Sequence, residues 1–135
     1  MNIKLIFIII IVDFSTKLFV TNWLNDGSII IINKNLNLTL LHNYVSSELI
    51  SSSYWFLLIN FWICILGIFL FNNNYIKICI GLELIIGGTL GNLIDRLGHG
   101  FIIDFLSFHW LDKYYLVFNI ADIAIIMGCF ISLIV

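Results

Sequence analysis

Gly87-Gly-Thr-Leu-Gly91-Asn92-Leu-Ile-Asp95-Arg96 closes an apolar run that begins at Ile76. This stretch decides the fold. Glycines four residues apart, Gly87 and Gly91, put a smooth stripe on one helix face, where a neighbouring helix can approach closely. Asn92 and Asp95, three apart, stack on one side of the same helix. A helix with an apolar body and a polar end needs neighbours that are polar at that same end. The run 76–94 also has the length, roughly 20 residues, that crosses a hydrocarbon core of about 30 Å.

Three more apolar stretches have similar lengths: 3–23, 54–71 and 117–135. The chain has 135 residues, 61% of them hydrophobic and 10% charged, which an ordinary soluble globule does not have. One domain over 1–135 is expected. Its fold class is read as all-α integral membrane, with four transmembrane helices at 3–23, 54–71, 76–94 and 117–135. Between the first two, Asn33-Lys-Asn-Leu-Asn-Leu-Thr-Leu-Leu-His-Asn43 alternates apolar and polar residues. Period two predicts strands, hence a small β-rich platform on the membrane surface. The segment 95–116 reads as a mixed connection, with Trp110, Tyr114 and Tyr115 suited to a membrane–water interface. Lys4 and the apolar Leu5–Val12 resemble a signal peptide, but Asp13 and Lys17 follow without a small-residue cleavage site, so a retained anchor is expected.

Four antiparallel spans collect the polar residues at one face. Asp13 and Lys17 fall late in the first stretch, Asn92, Asp95 and Arg96 at the end of the third, and Asn119 and Asp122 at the start of the fourth. Asp104 lies in the connection on that side. Lysine and arginine counts leave the orientation open. The net charge of −2 and the lack of a basic stripe exclude a nucleic-acid partner. Cys64, Cys79 and Cys129 form no motif and read as apolar filler.

Asp104 and Asp122 carry the chemistry. Each sits among aromatic and β-branched residues, in Phe101-Ile-Ile-Asp104-Phe-Leu and Phe118-Asn-Ile-Ala-Asp122-Ile. An ionisable group in such surroundings is costly and marks function. Two carboxylates that meet share a proton, because like charges a few Å apart resist ionising together. Asp122 lies five residues into its apolar run, too deep for a helix cap. Asp13 and Lys17, four apart, form an ion couple that makes both tolerable and orients neighbours. Arg96 is either a helix-end charge or a brace. His42, His99 and His109 lack a ligand spacing, so no metal is expected. Glu83 has no assigned role.

In order, these residues resemble the lipoprotein signal peptidase family, also called signal peptidase II. Asp13-Phe-Ser-Thr-Lys17 is similar to that family's Asp-x-x-[Ser/Thr]-Lys. Gly87–Arg96 is similar to its Gly-Gly-x-x-Gly-Asn-x-x-Asp-Arg, Gly100-Phe-Ile-Ile-Asp104-Phe to Gly-x-Val-x-Asp-Phe, and Phe118-Asn-Ile-Ala-Asp122 to Phe-Asn-x-Ala-Asp. Asn43-Tyr-Val-Ser-Ser-Glu48 departs: the family has glycine and two alanines where Val45, Ser46 and Ser47 stand. The resemblance implies an aspartic endopeptidase of the bacterial cytoplasmic membrane. It would be multi-pass and monomeric, with cytoplasmic termini and the site and platform near the extracytoplasmic face. It would cut a prolipoprotein N-terminal to its diacylglyceryl-modified cysteine, in contact with membrane lipid. Asp104 and Asp122 would be catalytic. Asn43, Asn92, Asn119, Asp95, Arg96, Asp13 and Lys17 would bind substrate or support the pair, and no cofactor or metal would be needed. Two other classes stay open on sequence. One is an impaired relative serving as a lipoprotein-binding scaffold. The other is a proton-conducting bundle, with carboxylates strung across the membrane rather than gathered at one level.

Overall fold

The protein is described here from a computed structural model, which covers residues 3–44, 76–110 and 113–133. Three helices and four strands make up this part: α1 (Ile3–Trp23), β1 (Ile29–Ile31), β2 (Leu36–Tyr44), α2 (Ile76–His99), β3 (Phe101–Trp110), β4 (Lys113–Phe118) and α3 (Ile120–Leu133). The strands form one antiparallel sheet in the order β1-β2-β3-β4.

The expected all-α bundle with four membrane spans is therefore corrected. Among the described residues no helix is long and apolar enough to cross a membrane. Asp13 and Lys17 interrupt α1, and Glu83, Asp95 and Arg96 interrupt α2. α3 has 14 residues, about 21 Å of helix against a core of about 30 Å. Strands are not confined to the segment after α1: β3 and β4 supply half the sheet from the region read as a mixed connection. A strand buried on both faces is a continuous apolar run without alternation, and Ile102, Ile103, Asp104 and Phe105 are all buried. The expected helix 54–71 and the divergent Val45–Glu48 lie outside the described residues.

The helices pack through small residues on two faces of α2. Towards α1, a Cβ on Gly87 would meet the Ile9 side chain at 3.0 Å, and one on Gly91 would meet Asp13 Oδ2 at 2.8 Å. Towards α3, Gly88 lies against the Ala121 carbonyl, and Gly81 and Gly128 lie against each other's carbonyls. The buried residues of α1 are Ile6, Ile9, Asp13, Lys17 and Val20, a helical stripe that carries the ion couple inward with the apolar groups. Val20 and Leu24 pack on Leu40, Ile103 and Phe105 of the sheet. Gly100 ends α2 at φ +79°, its N–H donating to the Arg96 carbonyl at 3.1 Å. A left-handed residue at that position suits glycine, and it turns the chain directly into β3.

Candidate functional site

Four elements converge where α2 ends, α3 begins and β2 and β3 run side by side. β3 brings Asp104 into the interior at 3% exposure. Leu41 of β2 is its register partner, after an irregularity between Leu38 and Leu41. Two residues on, Asn43 donates from Nδ2 to Asp104 Oδ2 at 2.9 Å.

Asp122 arrives by a different route. Asn119 immediately precedes α3, and its Oδ1 accepts the Asp122 N–H at 2.8 Å. In return Asp122 Oδ2 accepts the Asn119 N–H at 3.3 Å. This is a reciprocal cap, so Asp122 belongs to the helix start after all. The expected start at 117 hid this: β4 continues to Phe118, which puts Asp122 in the first turn of α3. Asp122 is half-buried and Asn43 exposed, so the site opens on their side.

Asn119, fully buried, bridges the two acids. Its Nδ2 donates to Asp104 Oδ1 at 2.7 Å while its Oδ1 and backbone N–H engage Asp122. Asn92 closes the ring, donating to Asp122 Oδ1 at 2.7 Å and accepting from Asn119 Nδ2 at 3.0 Å. Behind it, Lys17 Nζ donates to the same Asn92 Oδ1 at 3.1 Å. That ammonium also pairs with Asp13 Oδ2 at 2.6 Å and Asp95 Oδ2 at 2.8 Å. Asp13 and Asp95 each accept a backbone N–H, from Ala121 at 2.8 Å and Ile103 at 3.2 Å respectively. One charge cluster thus ties α1 and α2 to the starts of α3 and β3. Those two backbone donors carry no side-chain signature, so no sequence motif could have named them.

The structure brings Asp13, Lys17, Asn43, Asn92, Asp95, Asp104, Asn119 and Asp122 into one connected network. Arg96 lies half-buried in the last turn of α2, one residue past Asp95. Glu83 is buried in α2, twelve residues and about 18 Å of helix before Asp95. Among the described residues, no group of three or more His, Cys, Asp and Glu side chains is placed to hold a metal ion.

Burial pushes the Asp104 carboxyl up, and the nearby charge of Asp122 pushes it further. The hydrogen bonds from Asn43 and Asn119 and the charge of Lys17 pull the other way, and the balance is about 6. A buried carboxyl that holds its proton to about pH 6, bridged to a second, more accessible one, is suited to general acid–base work on a water.

A sequence model of the family described as signal peptidase (SPase) II matches residues 5–135. A lipoprotein signal peptidase of Shewanella amazonensis is 51% identical over 61 residues, 45% of this chain and 36% of that protein. One from Shewanella oneidensis is 51% identical over 55 residues, 41% of this chain and 32% of that protein. The chain thus spans about a third of the length of the curated relatives it matches. Two solved structures, each described as a bacterial membrane enzyme structure by the in meso method, superpose with TM-scores of 0.82 and cover 98% of this chain. They share 24% and 25% identity with it, over 89% and 84% of their own chains.

Proposed function

The chain belongs to the signal peptidase II family, and from that premise we propose that it is an aspartic endopeptidase acting on prolipoproteins at a bacterial membrane. It cuts N-terminal to the diacylglyceryl-modified cysteine and releases the signal peptide. The observation that carries this is the Asn119 bridge, whose one side chain touches both Asp104 and Asp122.

Asp104 holds the proton and Asp122 is the base. A water between them attacks the scissile carbonyl carbon as its proton passes to Asp122. The Asp104 proton goes to the carbonyl oxygen, giving a neutral tetrahedral intermediate. Asp122 then protonates the leaving amine, the C–N bond breaks, and a hydroxyl proton of the intermediate returns to Asp104. Each carboxyl oxygen already accepts one N–H bond and keeps a second lone-pair site for these transfers. Asn92 and Asn119 fix the two carboxyl planes. Lys17 fixes Asn92, because an amide oxygen held by an ammonium leaves the amide N–H to face Asp122. Asp13 and Asp95 hold Lys17, and Asn43, at the open side, meets the substrate backbone. The steps use no metal or organic cofactor, and one copy of the chain supplies every group. Asn119 hydrogen-bonds both acids, and this gathering supports hydrolysis over the conduction reading.

Contact with lipid is supported by the exposed apolar side chains of Phe7, Ile11, Phe14, Leu18 and Phe19 on α1 and Ile126 and Phe130 on α3. The test is gel-shift cleavage of a prolipoprotein by the purified protein in detergent, with and without the diacylglyceryl group. The proposal expects cleavage of the lipidated form alone. A folded protein that leaves it intact would move the assignment to a lipoprotein-binding scaffold.

A further inference from the structure

Asn43 reaches Asp104 only while the end of β2 keeps one register against β3. Leu41 stands opposite Asp104, His42 opposite Ile103, Asn43 opposite Ile102 and Tyr44 opposite Phe101. Just upstream the ladder is irregular, between Leu38 and Leu41. The pairs before that break, Leu36 to Leu38, therefore do not dictate how the last four residues of β2 pair. Asn43 is itself exposed, and a slip of one residue would turn its side chain to the other face of the sheet. The end of β2 needs a local hold.

The opposite face of the sheet supplies it. Side chains alternate along a strand, so His42 and Tyr44 point away from the face that carries Asn43. Both meet Phe101 across the strand pair. The His42 and Phe101 rings lie 4.5 Å apart at 55°, and the Tyr44 and Phe101 rings 4.9 Å apart at 54°. His99, the last residue of α2, stacks on the same Phe101 at 5.6 Å. Tilted rings about 4.5–7 Å apart attract beyond the area they bury, and aromatic pairs across two strands, direct or diagonal, favour one register. Asp26, in the turn after α1, places Oδ1 3.3 Å from His42 Nδ1. The Asp26 side chain is 71% exposed, so solvent screens this pair and the rings supply most of the hold.

We propose that His42, Tyr44 and Phe101 form a register lock: they are positioning residues that act through Asn43 on Asp104. This deepens the reading of Asp104 as the acid that holds the proton, and rests on it. With the lock in place, Asn43 Nδ2 stays at 2.9 Å from Asp104 Oδ2 and favours the carboxylate. With the rings gone, the end of β2 frays or slips, that N–H is withdrawn, and Asp104 keeps its proton to higher pH.

The test is a carbon-13 NMR titration of the Asp104 carboxyl in the full chain in detergent, assigned by its loss in Asp104→Asn. It needs no substrate, so its result stands whether or not the protein cleaves a prolipoprotein. His42→Ala should raise the midpoint by about half a unit to one unit, the upper value being loss of the whole Asn43 bond. His42→Phe keeps the ring contact and removes the imidazole charge, and should leave the midpoint where the parent has it. Asp26, Tyr44 and His99, the titratable groups that meet this cluster, are unchanged in both His42 variants. In an Asn43→Ala background, His42→Ala should move the midpoint no further. Tyr44→Ser, at an exposed position, should raise it in the same direction and carries the test if His42→Ala does not fold. An equal rise in His42→Phe, a rise that persists without Asn43, or an unmoved midpoint in the folded variants overturns the proposal.

Discussion

Asn43→Ala should move the pH limit of cleavage as well as its rate. In the proposed mechanism Asp104 must hold a proton, so activity falls as pH rises through its pKa. Burial is the main cause that lifts this carboxyl from 3.8 to about 6, and the N–H of Asn43 is the largest influence opposing it. An N–H donated to a carboxylate favours the ionised form; removing the N–H favours the proton and raises the pKa. A hydrogen bond to a charged group contributes about 1.5–3 kcal/mol. Asn43 is exposed, so solvent screens part of this and about 1.4 kcal/mol survives, equal to about one pH unit. The assay is kcat/KM against pH from about 4.5 to 8.5, which reports the free protein's ionisations. The upper limb should sit near 6 in the parent and near 7 in the variant, whatever the variant's overall rate. An unmoved limb, or one displaced to lower pH, refutes the reasoning.

The same burial has a consequence for stability. Folded Asp104 binds its proton more tightly than the unfolded chain does, so its contribution is full below about pH 4 and is lost as pH rises through about 6, by on the order of 3 kcal/mol. Unfolding free energies of Asp104→Asn and the parent should therefore diverge in the variant's favour across that window; a pH-independent difference contradicts this. Lys17→Met strands Asp13 and Asp95 as buried, uncompensated carboxylates, and denaturant unfolding should show a loss of about 3–5 kcal/mol, partly recovered when both acids are also replaced by leucine. Gly88→Ala places a methyl against the Ala121 carbonyl and 2.8 Å from the Ile125 side chain. It should cost about 1–3 kcal/mol in thermal unfolding and displace Asp122, one residue beyond, enough to depress cleavage.

Much of the candidate site was legible in the sequence because it is built from polar residues that an apolar chain does not otherwise retain. Asp13, Lys17, Asn92, Asp95, Asn119 and Asp122 each interrupt an apolar run, and the structure gathers them with Asp104 and Asn43. The alternation at 33–43 marks the strand β2, but burial does not follow it: Asn37 and Leu40, three apart, are both buried, on either side of the start of an irregularity between Leu38 and Leu41. The sheet's other half was illegible for a physical reason. Ile102–Phe105 is buried on both faces of β3, so it lacks the alternation that marks a half-exposed strand. The same gap conceals the role of Asp122, since a helix start at 117 hides a cap that begins at Asn119. The backbone donors at Ile103 and Ala121 depend on tertiary approach alone.

The most direct test of the central claim is cleavage of a diacylglyceryl-modified prolipoprotein by the parent, Asp104→Asn and Asp122→Asn proteins, each first shown to be folded. Each substitution is close to isosteric but leaves the pair unable to exchange a proton with water. Both variants should lose activity by about 10³-fold or more while the parent cleaves. Substantial cleavage by either variant would contradict the assignment of Asp104 and Asp122 as a catalytic pair.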